Sequence, residues 1–266
     1  MKKNVLPVIK GIALAQLHRR DVNHVIDALT GRGCRAEAAR VFGDMRTMFR
    51  WGMKRGDLDT DPTIGVSKPA EPSPRERVLS DDEIAKLWIE LEDALPRSEL
   101  VQVIIRLCFL TGQRVGEVCG IQARELDRKQ RQWTIPAARS KNKHPHVVPL
   151  TELGLSLAEQ IAAGETMSGQ AVATIIGHAQ ERFGIEHWTA HDLRRTVVTG
   201  MARLGIAPIV LSHVINHRSI TKAGVTLSVY SHYDYAKEKR EALDLWAAHL
   251  DGIVRGGASV LPMRRA

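Results

Sequence analysis

The segment Thr111-Gly112-Gln113-Arg114-Val115-Gly116-Glu117 decides how the middle of this chain folds. It follows a run at residues 100–110 that is apolar on nearly every face, which predicts a buried helix. Gly112 breaks that helix, and Arg114 follows the break directly. An arginine at a helix entry is usually a surface residue, but its planar guanidinium can also donate to two phosphate oxygens at once. The segment therefore predicts a buried helix with a candidate phosphate ligand just beyond its end.

Composition is compatible with a globular protein that has a polyanionic partner. The chain has 266 residues, of which 44% are hydrophobic, enough for one large or two modest domains with a proper core. Its 38 lysines and arginines outnumber its 30 aspartates and glutamates, which gives a formal charge of +8. This charge favours DNA or RNA as a partner, although a merely basic soluble protein fits it equally well.

The three cysteines indicate a reducing compartment. Cys34, Cys108 and Cys119 are odd in number, have no metal-ligand spacing and lie in apolar stretches. No apolar run approaches the roughly 20 residues that a bilayer span needs, and the Met1-Lys2-Lys3 start precedes no signal-peptide core. We therefore expect a cytoplasmic protein without a membrane segment.

Four prolines at positions 62, 69, 72 and 74 suggest a linker between two domains. The part before them has helical periodicity, and its longer helix carries many arginines and lysines on the faces away from the apolar stripe. These charges fit a solvated surface or a DNA-facing one, and we favour DNA. The domain boundaries predicted are 1–68 for a helical domain, 69–78 for the linker, 79–256 for a second domain and 257–266 for a tail.

The second domain is predicted to be mainly helical with a small antiparallel sheet. Ser80-Asp81-Asp82-Glu83 is a capping box that starts a helix. Residues 132–135 and 147–150 have strand character and flank a polar turn around Lys141. Helical patterns follow at residues 151–163, 168–183, 191–204, 207–213 and 235–254. The fold class is therefore mainly α with a small antiparallel β-sheet (α+β).

The chain also carries the side chains that cleave a phosphodiester without a metal. The reaction needs an aligned nucleophile, charge stabilisation for the non-bridging oxygens and a proton for the leaving alkoxide. Arg114 and Arg194 could stabilise charge, and the only three tyrosines lie within residues 230–235. A phenol is a poor nucleophile unless a base or nearby positive charge favours the phenolate. The histidines fit no usual metal-ligand spacing, so no metal and no cofactor are expected.

The order of these motifs resembles the tyrosine recombinase (phage integrase) family. The segment at 111–117, His191-x-x-Arg194, Leu211-Ser212-His213 and Tyr230 together match its signature, and the resemblance covers residues 15–254. It implies a partial helical core-binding domain at 1–68, shortened at its start, and the catalytic domain at 79–256. The C-terminal pattern is similar to genomic-island and prophage integrases, whose further N-terminal arm-binding domain we expect this chain to lack.

The resemblance implies a role for seven residues. Arg114 and Arg194 resemble the pair that clamps the scissile phosphate, with Glu117 supporting the first. Lys141 resembles the general acid that protonates the 5′-hydroxyl leaving group.

His191 resembles the residue that assists deprotonation of the nucleophile, and His213 the one that donates a hydrogen bond to the phosphate. Tyr230 resembles the nucleophile, which forms a 3′-phosphotyrosyl intermediate.

Alternatives exist at three of these positions. Lys143 competes with Lys141 for the tip of the turn, and we favour Lys141 because its spacing to the following strand matches the family. His217 competes with His213, which fits the Leu-x-His pattern better, although the interval from His213 to Tyr230 is longer than in many relatives.

Tyr233 and Tyr235 compete with Tyr230 for the role of nucleophile. We favour Tyr230 because its Val-Tyr-Ser-His context matches the family and the other two begin the last helix.

The resemblance implies a site-specific recombinase that integrates or excises a mobile element without metal or ATP. Its expected partners are double-stranded DNA at attachment sites, three further copies in a tetramer on DNA, and accessory proteins that bend the DNA. Free of DNA, a monomer or weak oligomer is expected. The alternatives are a type IB topoisomerase, which religates the same ends, and a catalytically silent DNA-binding remnant.

Overall fold

The computed structural model describes residues 3–70, 76–217 and 233–256. The chain divides into two compact units, Met1–Arg75 and Glu76–Ala266, so that the division falls within the predicted linker. Among the described residues, no helix is both long enough and apolar enough to cross a membrane.

The first unit is helical. Its helices are α1 (Leu6–Ile9), α2 (Arg19–Thr30) and α3 (Arg35–Arg55). The apolar stripes of α2 and α3 face each other and bury Val25, Leu29 and Phe42 almost completely. The apolar positions of α3 continue in sequence to Met53, but the buried cluster ends at Phe49 and Met53 is 38% exposed.

The basic side chains of α3 lie outside this core. All six of them are exposed, as their positions away from the apolar stripe predicted. They are Arg35, Arg40, Arg46, Arg50, Lys54 and Arg55. Arg55 also covers the exposed Trp51 ring, with 4.6 Å from its guanidinium carbon to the ring centroid. The outer face of α3 is therefore both cationic and partly aromatic.

The second unit contains a larger set of helices and a small sheet. Its helices are α4 (Asp81–Ile89), α5 (Leu91–Ala94), α6 (Glu99–Thr111), α7 (Val115–Val118), α8 (Glu152–Ala163), α9 (Gly169–His178), α10 (Ala190–Arg203), α11 (Pro208–Val214) and α12 (Ala236–Val254). Its strands are β1 (Leu126–Asp127), β2 (Gln132–Ile135) and β3 (His146–Pro149). The sheet is antiparallel in the order β1-β2-β3. This confirms the predicted fold class, mainly α with a small antiparallel sheet.

Two details of the second unit differ from the sequence prediction. The two-residue strand β1 pairs with β2 and is too short to show an alternating pattern. The helix predicted over 168–183 instead ends at His178, and a separate 3-10 turn, Gln180–Phe183, follows before Gly184 takes a left-handed conformation.

The predicted capping box at α4 is confirmed, since Glu83 N donates to Ser80 Oγ and Ser80 N donates to Glu83 Oε2.

Helix α6 is the centre of the second unit, as its apolar sequence predicted. Val101, Ile104 and Leu107 are fully buried, and α6 contacts α7, α8, α10 and α12. The apolar stripe of α12 packs on this core within the same chain. Its Trp246 is buried and donates through Nε1 to the carbonyl of Phe109 at 2.7 Å. The last helix is therefore held by both apolar burial and a buried hydrogen bond.

We predict that Gly200→Ala destabilises the second unit. A Cβ at Gly200 would overlap the Trp246 ring, with 2.8 Å to Cη2, and the indole cannot retreat without losing its bond to Phe109. Overpacking of this kind costs about 1–3 kcal/mol. Urea unfolding followed by circular dichroism measures the change in the free energy of unfolding.

Gly252→Ala is the matched control. Gly252 lies in α12, and a Cβ there would meet nothing within 4 Å. Alanine should be neutral or stabilising by up to about 1 kcal/mol, because it favours helix over glycine. Equal effects of the two substitutions would contradict the close packing at Gly200.

Candidate active site

A cavity of about 440 Å³ in the second unit gathers side chains from distant parts of the chain. Four residues predicted for the site line it, namely Arg114, Lys141, His191 and Arg194. The remaining lining residues are Glu76, Val78, Arg195, Val198, Thr199, Ile215 and His217. The wall thus carries an excess of positive charge, with three arginines and a lysine against one carboxylate.

Arg114 reaches the cavity because helix α6 ends abruptly. Gly112 has a φ of 64°, a left-handed conformation that glycine adopts without strain, and the chain then turns into α7 with Arg114 as its N-cap. Glu117, one turn further, accepts from Arg114 Nη1 at 3.0 Å and is 5% exposed. The carboxylate therefore contacts the guanidinium that the sequence predicted it to support.

Arg194 is the most buried charged group at the cavity, with 6% exposure. Its Nη1 donates to the Gly112 carbonyl at 2.8 Å, and its Nη2 donates to the Ile215 carbonyl. Burial, and then the neighbouring charge of Arg114, lower the pKa of Arg194 to about 10, so it stays charged at neutral pH. Two cations held this close favour an anionic ligand between or beside them.

His191 begins α10 at the rim of the cavity. Partial desolvation lowers its pKa from the usual value near 6.5, and the charges of Arg195 and Arg194 lower it further. The imidazole is therefore neutral at pH 7 and has a nitrogen that can accept a proton.

Asp192 fixes the start of α10 and is a residue to which the sequence prediction assigned no role. Its buried carboxylate accepts from Thr189 N at 2.9 Å, from Thr189 Oγ1 at 2.7 Å and from Arg195 Nη1 at 3.1 Å. The sequence signal is the threonine three residues before an acidic residue, which is a helix N-terminus pattern. Asp192 thereby orients the helix turn that carries His191 and Arg194.

Lys141 lies on the exposed turn between β2 and β3 and lines the cavity. Lys143 has a left-handed φ of 56° on the same turn and is not among the lining residues within the described parts of the chain. Of the two lysines, Lys141 is thus the one at the cavity, and its role as general acid stays a prediction.

His217, and not His213, lies at the cavity. His213 is within α11, and its ring stacks on Tyr235 with 4.3 Å between centroids. After α11 ends, Asn216 takes a left-handed φ of 48°, which turns the chain and brings His217 to the cavity wall. An asparagine just beyond a helix end is the sequence signal for such a turn.

Tyr230 lies outside the described residues, but its two competitors are described. Tyr233 is 53% exposed and its hydroxyl donates to Glu238 at 2.8 Å, and this carboxylate raises the pKa of the phenol. A raised pKa makes Tyr233 a poorer nucleophile. Tyr235 is the N-cap of α12 and stacks on His213.

In the described parts of the chain, no three His, Cys, Asp or Glu side chains lie together in a way that could hold a metal ion.

Relatives in sequence are recombinases. The chain is 22% identical to the prophage integrase IntA of Escherichia coli (strain K12) in an alignment 265 positions long, which covers 93% of this chain and 62% of that protein. It is also 22% identical to the tyrosine recombinase XerC of Corynebacterium glutamicum in an alignment 217 positions long, which covers 74% of this chain and 68% of that protein. The chain thus spans less than two thirds of the length of the prophage integrase.

Solved structures share the fold. Lambda integrase (75–356), as a dimer bound to a COC′ core site, has a TM-score of 0.64 and 19% identity over 82% of this chain and 85% of that one. The Tn1549 transposon integrase (aa 82–397) in complex with circular intermediate DNA has a TM-score of 0.55 and 14% identity over 86% of this chain and 85% of that one.

The model of the phage integrase family matches residues 77–237, which is more than half of the chain and includes every residue that lines the cavity except Glu76. With the recombinase relatives and the shared fold, this match shows that the chain belongs to the phage integrase family of tyrosine recombinases.

Proposed function

We propose that this protein is a site-specific DNA recombinase that cleaves and rejoins DNA through a 3′-phosphotyrosyl intermediate, and so integrates or excises a mobile element. The observation that carries the proposal is the cavity that holds Arg114, Arg194, Lys141, His191 and His217 together. The family membership supplies the reaction class, and the cavity supplies side chains for charge stabilisation and proton transfer; the proposed nucleophile, Tyr230, lies outside the described residues.

The two arginines and His217 are proposed to bind the scissile phosphate. Both guanidinium groups are fixed, Arg114 by Glu117 and Arg194 by two backbone carbonyls. Preorganised donors of this kind stabilise the charge that develops on the non-bridging oxygens without further reorganisation. We place His217, rather than His213, in the role of the histidine that donates to the phosphate.

Proton transfer is proposed to involve His191, Lys141 and Tyr230. As the Tyr230 oxygen attacks phosphorus, His191 accepts the phenol proton, and a bond forms between that oxygen and the 3′ phosphate. The bond from phosphorus to the 5′ oxygen breaks, and the Lys141 ammonium donates a proton to that oxygen. The 5′-hydroxyl of a second DNA end reverses these steps, so the phosphodiester energy is conserved and no ATP is needed.

DNA is the proposed macromolecular partner of both units. We propose that residues 1–68 are the core-type DNA-binding domain and 79–256 the catalytic domain, joined by 69–78 and followed by a tail at 257–266. The cationic outer face of α3 supports DNA contact by the first domain, since contacts of lysines and arginines with phosphates dominate the affinity for DNA.

Solved lambda integrase structures include a dimer on a core site and a tetramer on a Holliday junction. We propose a tetramer on DNA and a monomer or weak oligomer without it, with DNA-bending proteins as accessory partners.

Covalent capture of DNA tests the proposal directly. We expect the full chain, incubated with tiled duplex fragments of the DNA that surrounds its gene, to form an adduct that survives denaturing electrophoresis. Tyr230→Phe should abolish the adduct because it removes the nucleophilic oxygen, and Tyr233→Phe should retain it because the Tyr233 hydroxyl is engaged by Glu238.

Three results would contradict the proposal in different ways. An adduct that persists in Tyr230→Phe would assign the nucleophile to another residue. Retention of duplex without any adduct would indicate a DNA-binding remnant. Relaxation of supercoiled plasmid without exchange of strands would indicate a topoisomerase.

The pH dependence of cleavage should report the depressed pKa of His191. Because its neutral form is the base and its pKa lies below 6.5, the acid limb of the rate profile should fall below pH 6.5. Arg195→Gln removes a positive charge that lowers this pKa, so the pKa should rise and the limb should move to higher pH.

Arg203→Gln, at the exposed end of the same helix, is the control and should leave the limb in place. The measurement is the rate of adduct formation as a function of pH. A profile that is unchanged by Arg195→Gln would remove His191 from the role of base.

A further inference from the structure

Three successive carbonyls at the end of α11 each accept a hydrogen bond from a side chain of another element. The Val214 carbonyl accepts from Gln113 Nε2 at 2.8 Å and from His146 Nε2 at 3.1 Å. The Ile215 carbonyl accepts from Arg194. The Asn216 carbonyl accepts from Asn142 Nδ2 at 2.6 Å. The last carbonyls of a helix lack partners within the helix, so these bonds determine where the chain beyond α11 lies.

The donors to Val214 are themselves fixed. Gln113 is 1% exposed, and its Nε2 also donates to the Thr111 carbonyl at 3.0 Å. Burial lowers the pKa of His146 to about 3, so its ring is neutral, and its Nε2 donates to Val214 as the tautomer protonated there. The end of α11 is therefore anchored to the segment that precedes Arg114 and to strand β3.

Asn216 links this anchored segment to the turn that carries Lys141. Its side-chain Nδ2 donates to Ser140 Oγ at 3.0 Å, and Asn142 Nδ2 lies 3.3 Å from its Oδ1 as well as 2.6 Å from its carbonyl oxygen. The residues on both sides of Lys141 thus bind the residue that immediately precedes His217. We call this set, Ser140, Asn142 and Asn216, the asparagine clasp.

We propose that the asparagine clasp is a positioning device that holds Lys141 at the same phosphate as His217; this rests on the proposed function. Lys141 is exposed on the stretch between the end of β2 at Ile135 and the start of β3 at His146, and its long side chain has many rotamers. A general acid must lie within hydrogen-bond reach of the leaving oxygen. By tying the turn to the chain next to His217, the clasp limits the space that the ammonium samples.

If the clasp positions Lys141, its loss should slow cleavage for one kind of leaving group and not for another. Loss of a purely structural contact should slow both. An alkoxide leaving group needs a proton, whereas a thiolate is a far weaker base, with a thiol pKa of about 8.5, and leaves without one. A misplaced Lys141 should therefore slow cleavage of a duplex with an ordinary 5′ oxygen at the scissile bond. It should hardly affect a duplex with sulfur in place of that bridging oxygen.

The test compares both duplexes, made with the sequence captured by the wild-type chain. Removal of the general acid by Lys141→Ala should slow the oxygen duplex about 10²–10⁴-fold, the usual contribution of such catalysis. Asn142→Ala should slow it by about 10-fold or more, but by less than Lys141→Ala does, because the acid remains but is less well placed. Both variants should cleave the sulfur duplex within about 2-fold of the wild-type rate.

Two further variants separate the clasp from general effects on the turn. His144→Ala changes an exposed residue of the same turn and should leave both rates unchanged. Asn216→Gly removes the bond to Ser140 and the 3.3 Å contact of Asn216 Oδ1 with Asn142, but it keeps the left-handed backbone and the 2.6 Å bond from Asn142 to the carbonyl. Its loss on the oxygen duplex should therefore be smaller than that of Asn142→Ala, which removes the 2.6 Å bond.

Equal slowing of both duplexes by Asn142→Ala, or no slowing of either, would overturn the positioning role. If the wild-type chain cleaves neither duplex, the proposed function fails instead. In that case, hydrogen–deuterium exchange at residues 139–145 still decides whether the clasp holds the turn. Asn142→Ala should exchange faster there than the wild type, and unchanged exchange would overturn the clasp itself.

Discussion

The burial of the Arg194 guanidinium is the constraint on which the rest of the site depends. A charge with 6% exposure is costly unless its donors are satisfied, and two of them bind the carbonyls of Gly112 and Ile215. These carbonyls lie at the ends of α6 and α11, which are far apart in sequence. One side chain therefore joins the helix end before Arg114 to the chain before His217.

Electrostatics and geometry act together around this group. Arg114 and Arg194 repel each other, which is one cause of the lowered pKa of Arg194, and Glu117 offsets the repulsion from one side. The excess of positive charge at the cavity is what an anionic phosphate would relieve. Partial burial, and then the charges of Arg195 and Arg194, lower the pKa of His191, so that a neutral imidazole lies next to fixed cations. The cavity therefore combines donors suited to an anion with a nitrogen that can accept a proton.

The end of α11 is held in place by side chains from several other elements of the second unit. The carbonyls of Val214, Ile215 and Asn216 accept hydrogen bonds from Gln113 at the α6–α7 junction, from His146 and Asn142 of the β2–β3 hairpin, and from Arg194 of α10. Through these hydrogen bonds the end of α11 joins the α6–α7 junction, the hairpin and α10. In contrast, α12 is held to the core through Trp246 and the close approach of Gly200.

Local patterns of sequence determined much of this protein. The buried helix α6, the capping box of α4, the hairpin around Lys141 and the cationic face of α3 each have a signal within a few residues, because helix caps, apolar runs and turns are short-range chemistry. The motif order also placed Arg114, Lys141, His191 and Arg194, and the structure brings these four to one cavity.

Only the tertiary structure shows that His217, and not His213, lines the cavity. Each lies two residues after an apolar residue, Leu211 or Ile215, close to the end of α11, so local sequence is compatible with either. The choice depends on the left-handed turn at Asn216 and on partners such as Gln113 and Asn142, which lie 101 residues from Val214 and 74 residues from Asn216. Contacts across such separations are set by how helices pack, and no local pattern of residues records which carbonyl a distant side chain will reach.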